Sequence, residues 1–128
     1  MTALDSNILV RVVAADDPAQ TRAAQKLLGG GGTFFIADVV LVELVWVLQR
    51  LYAFQRSEIV TVLSSFLGRG DVVFENEARV RDGVKALAAG ADLADRLVVD
   101  IARAHACERM ASFDDGLVKR HPDFVFKP

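Results

Sequence analysis

Short apolar runs without polar alternation recur along the chain, each followed by a longer amphipathic stretch and set off by Gly, Asp or Asn. Strands buried on both faces of a parallel sheet require such runs, and the stretches between them supply helices to cover those faces. The expected strands are Met1–Leu4, Thr33–Ala37, Asp71–Phe74, Arg109–Ser112 and Phe124–Phe126. Asp5, Ser6 and Asn7 form a polar turn able to cap a helix through Ala14, and Asp17 with Pro18 opens a second helix that stops at Gly29–Gly32. Asp38 should cap a long helix to Tyr52, Ser57 a helix to Leu67, and Asp92 a helix to Cys107, with Glu77–Ala89 and Asp114–Arg120 also helical. The pattern predicts an α/β chain built as a three-layer α/β/α sandwich around a central parallel sheet, with residues 1–128 forming one domain.

Composition narrows the function. Apolar residues make up 52% of the 128, enough for a folded core and too many for disorder. Fifteen Lys and Arg against 17 Asp and Glu give a net charge of -2, so bulk positive charge cannot be what recruits a nucleic acid. The lone Cys107 cannot form an internal disulfide, and no His or Cys run has zinc-ligand spacing. Asp5 interrupts the apolar N-terminus, and Asp38 and Glu43 interrupt the most apolar run, Phe34–Leu48. Neither a signal peptide nor a membrane helix is expected, and a soluble cytoplasmic protein is. The glycines at 29–32 lead into a strand with no Lys-Ser or Lys-Thr behind them, so they are not a phosphate loop.

The informative residues are carboxylates in apolar surroundings. Glu43 is flanked by Leu41, Val42, Leu44 and Val45 and shares helical faces with Val39, Val40, Trp46 and Val47. A helix apolar nearly all round is expected to be buried, and a buried carboxylate needs a cation, a metal or hydrogen-bond donors. Glu43 is thus either solvated or paired at a packing gap, or a ligand or catalytic group. Asp95 lines up with Val98, Val99, Ala102 and Ala106 on the face expected to meet the sheet, and it also stands third after the cap residue Asp92. Asp100 falls with Arg96 and Arg103 on an ion-paired, solvated side. Asp5 and Asp114 follow strands, where ligands bind in open α/β sheets, although either alone reads equally well as a helix cap. Four converging carboxylates would demand a cation, and oxygen-only ligands select magnesium or manganese.

The chain resembles PIN-domain ribonucleases, specifically the VapC-type toxins of bacterial toxin–antitoxin pairs. The resemblance rests on Leu4-Asp5-Ser6-Asn7-Ile8-Leu9-Val10-Arg11, on Leu41-Val42-Glu43-Leu44 with Val47-Leu48, on Gly90-Ala91-Asp92-Leu93-Ala94-Asp95-Arg96-Leu97, and on Ser112-Phe113-Asp114-Asp115. It implies strand order 3-2-1-4-5 and an acidic quartet of Asp5, Glu43, Asp95 and Asp114 that holds magnesium or manganese for phosphodiester hydrolysis. It further implies that Asn7 orients Asp5 and that Ser112 supplies a hydroxyl beside the metal. Ser6 and Ser112 stand where the family more often has Thr. The doublet leaves Asp115 open as the fourth acid, and Asp92 is either a cap or a supporting group.

Partners implied by the resemblance are an RNA substrate, a second copy of the chain and a cognate antitoxin that blocks the acidic pocket with a basic residue. The apolar segment Phe54–Gly68 would serve those protein contacts, although packing within one chain explains it as well. Arg50, about 10 Å along the helix from Glu43, could hold RNA phosphate, as could Arg11 or Arg69. His105 and His121 read as structural or surface residues, and Cys107, Trp46 and Tyr52 as core or interface groups. The rival readings are a non-catalytic PIN-like RNA-binding or scaffolding module and a phosphorylated receiver-like domain. The receiver reading fails, because Glu75 and Asn76 follow the third strand where a phosphoacceptor Asp is needed.

Overall fold

In the computed structural model, which describes residues 1–128, five strands and seven helices follow one another along the chain. β1 (Thr2–Ala3) leads into α1 (Ser6–Ala14) and α2 (Pro18–Gly29), and β2 (Phe34–Ile36) into α3 (Asp38–Leu51) and α4 (Arg56–Leu67). β3 (Val72–Phe74) precedes α5 (Glu77–Ala88) and α6 (Leu93–Ala104), β4 (Met110–Ala111) precedes α7 (Asp115–Arg120), and β5 (Val125–Phe126) comes last. The strands are shorter than the apolar runs that mark them, because ladder pairing covers only the residues that run side by side before each chain turns into a helix.

Every strand pair is parallel, with Ala3 opposite Phe35, Phe35 opposite Val73, and Ala111 opposite Phe126. One sheet has the order β1-β2-β3 and a second pairs β4 with β5. The neighbours within 3-2-1 and within 4-5 are paired, but the full expected order 3-2-1-4-5 and the single three-layer sandwich are not shown. No ladder joins β1 to β4 at the centre of a continuous three-layer sandwich.

Two apolar clusters match the two sheets. The larger contains 20 buried residues, among them Leu9, Phe34, Ile36, Leu41, Leu44, Leu48, Ile59, Leu63 and Leu97. The smaller contains Val99, Leu117, Phe124 and Val125. Helix α6 belongs to both, since Leu93 and Leu97 pack into the first and Val99 into the second. Arg103 and Arg109 stack over the rings of Phe124 and Phe126 and shield the second sheet. Ile59, Leu63 and Phe66 of α4 are buried within the chain, so packing in one copy accounts for the apolar character of that segment.

Most helix starts follow the expected chemistry. Asp5, Asp17, Asp92 and Asp114 each accept a backbone N–H at the start of α1, α2, α6 and α7. Two caps differ. Asp38 is the first residue of α3 rather than its cap, and its carboxylate turns inward to Arg79 of α5 at 2.6 Å. Helix α4 starts ahead of Ser57: Gln55 is the cap residue, and its N–H donates to Glu58 Oε1 at 2.9 Å. Helix α6 stops at Ala104, short of Cys107, because Ala106 turns to a φ of 58°.

Candidate active site

Each candidate acid is positioned by a local rule. Asp5 follows β1, and its Oδ1 accepts from Ser6 N at 2.8 Å. Asp92 Oδ1 accepts from Asp95 N at 3.0 Å, and Asp114 Oδ1 accepts from Leu117 N at 3.0 Å. One carboxylate oxygen of each residue is thereby tethered to backbone, which leaves Oδ2 without a protein donor. Ser112 Oγ accepts from Asp114 N at 3.0 Å and so holds the loop that presents Asp114.

Asp95, half-buried on the first turn of α6, is the electrostatic centre of the group. Burial, then the like charges of Asp92 and Asp114, hold its carboxyl above the usual aspartate range. Arg120 and His121 pull in the opposite direction. Neither basic residue was picked out as part of the site from sequence. Arg120 reaches the site because its Nη2 donates to Gly90 O at 2.8 Å, which ties the end of α7 to the loop ahead of α6. No local pattern marks that contact, since residues 30 apart meet only once the chain is folded.

Glu43 differs from its expectation, being exposed rather than buried. Helix α3 turns only one side to the core, through Leu41, Leu44, Val45 and Leu48. Val39, Glu43, Trp46 and Arg50, spaced by four, three and four residues, form an exposed stripe on its other side. Val98, expected to meet the sheet beside Asp95, is 49% exposed, and Ala106 and Cys107 are exposed too. Helices α3 and α6 nevertheless meet close to the acids. Val42, Trp46 and Gln49 of α3 face Asp92, Leu93 and Ala94 across a cleft of about 70 Å³.

The remaining candidates separate by their partners. Asp115 receives Lys127 Nζ at 3.0 Å, whereas Asp114 has no ion pair. Asn7 makes no hydrogen bond to Asp5 and instead lines a cleft of about 540 Å³ between α1 and α2 with Arg11 and Gln20. Arg11 is tied to Asp16 at 2.8 Å and to Gln20 at 2.6 Å, and Arg69 to Asp71 at 2.7 Å, while Arg50 is exposed and unpaired. Asp100 pairs with Arg96 at 2.9 Å, as its position on the solvated side predicts.

Asp5, Glu43, Asp92, Asp95 and Asp114 take part in none of the chain's ion pairs, nor do Asp17, Glu58, Asp82 and Glu108, whereas Asp16, Asp38, Asp71, Asp100 and Asp123 are all paired. From residue 2 to residue 121 the sequence matches the family model described as the PIN domain. The chain belongs to the PIN domain family. No curated protein and no solved structure matches it. PIN domains are generally metal-dependent nucleases that act on RNA and typically use magnesium or manganese, which supports a hydrolase here at that coarse level.

The donors of this PIN domain suit such an ion in type and charge. They are carboxylate oxygens outside any ion pair, and burial, then the like charges of Asp92 and Asp114, disfavour ionisation of Asp95 against the opposing pull of Arg120 and His121. No three acidic, His or Cys side chains are grouped closely enough to ligate one ion together.

Proposed function

We propose that this PIN domain is a magnesium- or manganese-dependent endoribonuclease that acts as a toxin on cellular RNA and is neutralised by a cognate antitoxin. The observation that carries the reading is the raised carboxyl of the half-buried Asp95, held beside Asp92 and Asp114 with no ion pair to any of the three. A scaffold has no reason to keep Asp95 half-buried beside the like charges of the exposed Asp92 and Asp114, at a cost in stability. Asp5, Glu43, Asp95 and Asp114 are the proposed catalytic and metal-binding set. Asp115 is set aside on the strength of its pairing with Lys127.

The ion, when bound, supplies positive charge that stabilises the scissile phosphate and the leaving oxygen. The chain contributes orientation. The tethers on Oδ1 of Asp5, Asp92 and Asp114 fix each carboxylate plane, while Ser112 steadies the loop ahead of Asp114. Asn7 is proposed to orient Asp5 in the substrate-bound state, a role held here by Ser6 N. Arg50 is the proposed phosphate contact, with Arg11 joining it only if released from Asp16. Assembly as a homodimer, joining of the two sheet halves in the order 3-2-1-4-5, and a cytoplasmic location belong to the same reading, supported by the motifs that resemble VapC-type toxins.

The test is cleavage of total RNA by purified protein with EDTA, with magnesium and with manganese, beside Asp5→Asn and Asp95→Asn. Discrete fragments that need the metal and vanish in both variants support the proposal. RNA binding without cleavage by folded, antitoxin-free protein selects the binding-module reading instead.

A further inference from the structure

The chain has ten aromatic side chains, eight Phe with one Trp and one Tyr. Eight of them are buried or half-buried, and the two that are exposed are Trp46, at 55%, and Phe113, at 76%. Each stands beside a candidate acid. Trp46 follows Glu43 by one turn on the exposed stripe of α3 and shares the cleft with Asp92, while Phe113 immediately precedes Asp114. Met1, Leu27, Val39, Leu51, Val73 and Val98 are exposed as well, but both exposed aromatics stand at candidate acids, where their flat faces suit a ligand with flat apolar faces of its own.

Resting on the nuclease reading above, we infer that Trp46 and Phe113 are substrate-positioning residues that stack on unpaired nucleobases flanking the scissile phosphate. The electrostatics give the reason. A net charge of -2 and a group of unpaired carboxylates repel an RNA backbone, so attraction must come from contacts other than bulk charge. Aromatic stacking supplies it without regard to sequence, because every base has a π-face. The stripe also alternates in character: Arg50 lies four residues beyond Trp46, roughly 6 Å of helix rise, within reach of the phosphate of a base stacked on the indole. Bases in a duplex hide their faces in the stack, so the arrangement selects loops, bulges and single strands.

Trp46 is the only tryptophan, so its emission reports its own surroundings. The experiment titrates wild-type protein in EDTA with single-stranded poly(A) and with poly(A)·poly(U) duplex while following that emission. Cleavage kinetics of wild type, Trp46→Phe, Trp46→Ala and Phe113→Ala are then measured with magnesium or manganese, with circular dichroism and light scattering as checks on fold and mass. Quenching by the single strand and little by the duplex is expected. Trp46→Ala should raise KM roughly ten- to a hundredfold with kcat largely kept, and Trp46→Phe should recover most of the loss. Unchanged emission with unchanged KM in Trp46→Ala overturns the inference, as does a Trp46→Ala protein that only changes mass, which would make the stripe a contact between copies. Wild type that is quenched by poly(A) yet never cleaves RNA sinks the nuclease reading and leaves the stacking role standing. Cleavage without quenching does the reverse.

Discussion

Asp95 donates its backbone N–H to Asp92 Oδ1 at 3.0 Å, and the charge on that same Asp92 adds to burial in raising the Asp95 carboxyl above its usual range. The cap that starts α6 thus also loads the central acid. Asp92→Asn keeps a good cap and removes the charge, so the Asp95 carboxyl should titrate lower in a carboxyl-resolved NMR titration, with little loss of stability. Asp92→Ala should lose about 1 kcal/mol through the cap.

The sign of the pH dependence follows from the direction of the Asp95 shift. A carboxyl raised in the folded state binds its proton more tightly there than in the unfolded chain. Its effect on stability is therefore nil at low pH, and stability falls as pH rises from the unfolded value through the folded one. Asp95→Asn should need more urea to unfold than wild type at pH 7, with the gap closing on acidification. Magnesium or manganese at a hundredfold its dissociation constant should stabilise wild type by about 2.7 kcal/mol and this variant much less, read as a shift in Tm.

The Asp114-Asp115 doublet separates by partner. Asp114→Asn should lower kcat by about a hundredfold or more, the scale of several kcal/mol of lost charge stabilisation. Asp115→Asn removes only an exposed pair with Lys127, so it should keep near wild-type activity and lose less than about 1 kcal/mol. Equal losses of cleavage in the two variants would show that the partner-based distinction is wrong.

Asp38 and Arg79 form the most buried ion pair of the chain, their side chains 8% and 14% exposed, and Asp38 Oδ1 has no partner at all. Arg79→Met leaves that carboxylate buried without its cation and should cost about 3–5 kcal/mol in chemical denaturation. The double variant Asp38→Leu with Arg79→Met should recover a large part of that loss, because removing both charges leaves nothing unpaired.

Ala15, Ala53 and Ala106 have φ of 53°, 55° and 58°, where L side chains pay about 1–2 kcal/mol and glycine does not. Glycine's greater freedom in the unfolded chain offsets about 0.4–1 kcal/mol. Each Ala→Gly change should therefore stabilise by roughly 0.5–1 kcal/mol, and the triple change should sum nearly additively, since the sites lie at the ends of different helices.

Local chemistry carried most of what was readable from the chain. Asp5-Ser6-Asn7 and Asp17-Pro18 give their helix starts away because capping depends on neighbours a few residues apart. The failures came where burial depends on what packs opposite. Nothing around Glu43 or Trp46 shows that α3 is covered on one side only, because the covering residues, such as Leu9 of α1, lie far along the chain. Asp38 looked like a cap until Arg79, 41 residues on, drew it inward. The proximity of Asp92 and Asp114 to Asp95 was foreshadowed by their motifs, whereas the approach of Arg120 and His121 to Asp95 was not, since it is a product of how α7 docks.

The division of the core has a further consequence for the acids. Asp5 and Glu43 are carried by elements of the larger cluster, whereas Asp114 sits on the loop between β4 and α7, whose anchors Leu117, Phe124 and Val125 belong to the smaller one. Helix α6, bearing Asp95, is the shared wall. The proposed site is thus a seam between a large body and a four-residue satellite, and the satellite, with far less apolar surface to bury, is expected to open first. Loosening it would withdraw Asp114 from Asp95 while the rest of the molecule stayed folded, so activity would fail at a temperature below that at which the protein melts.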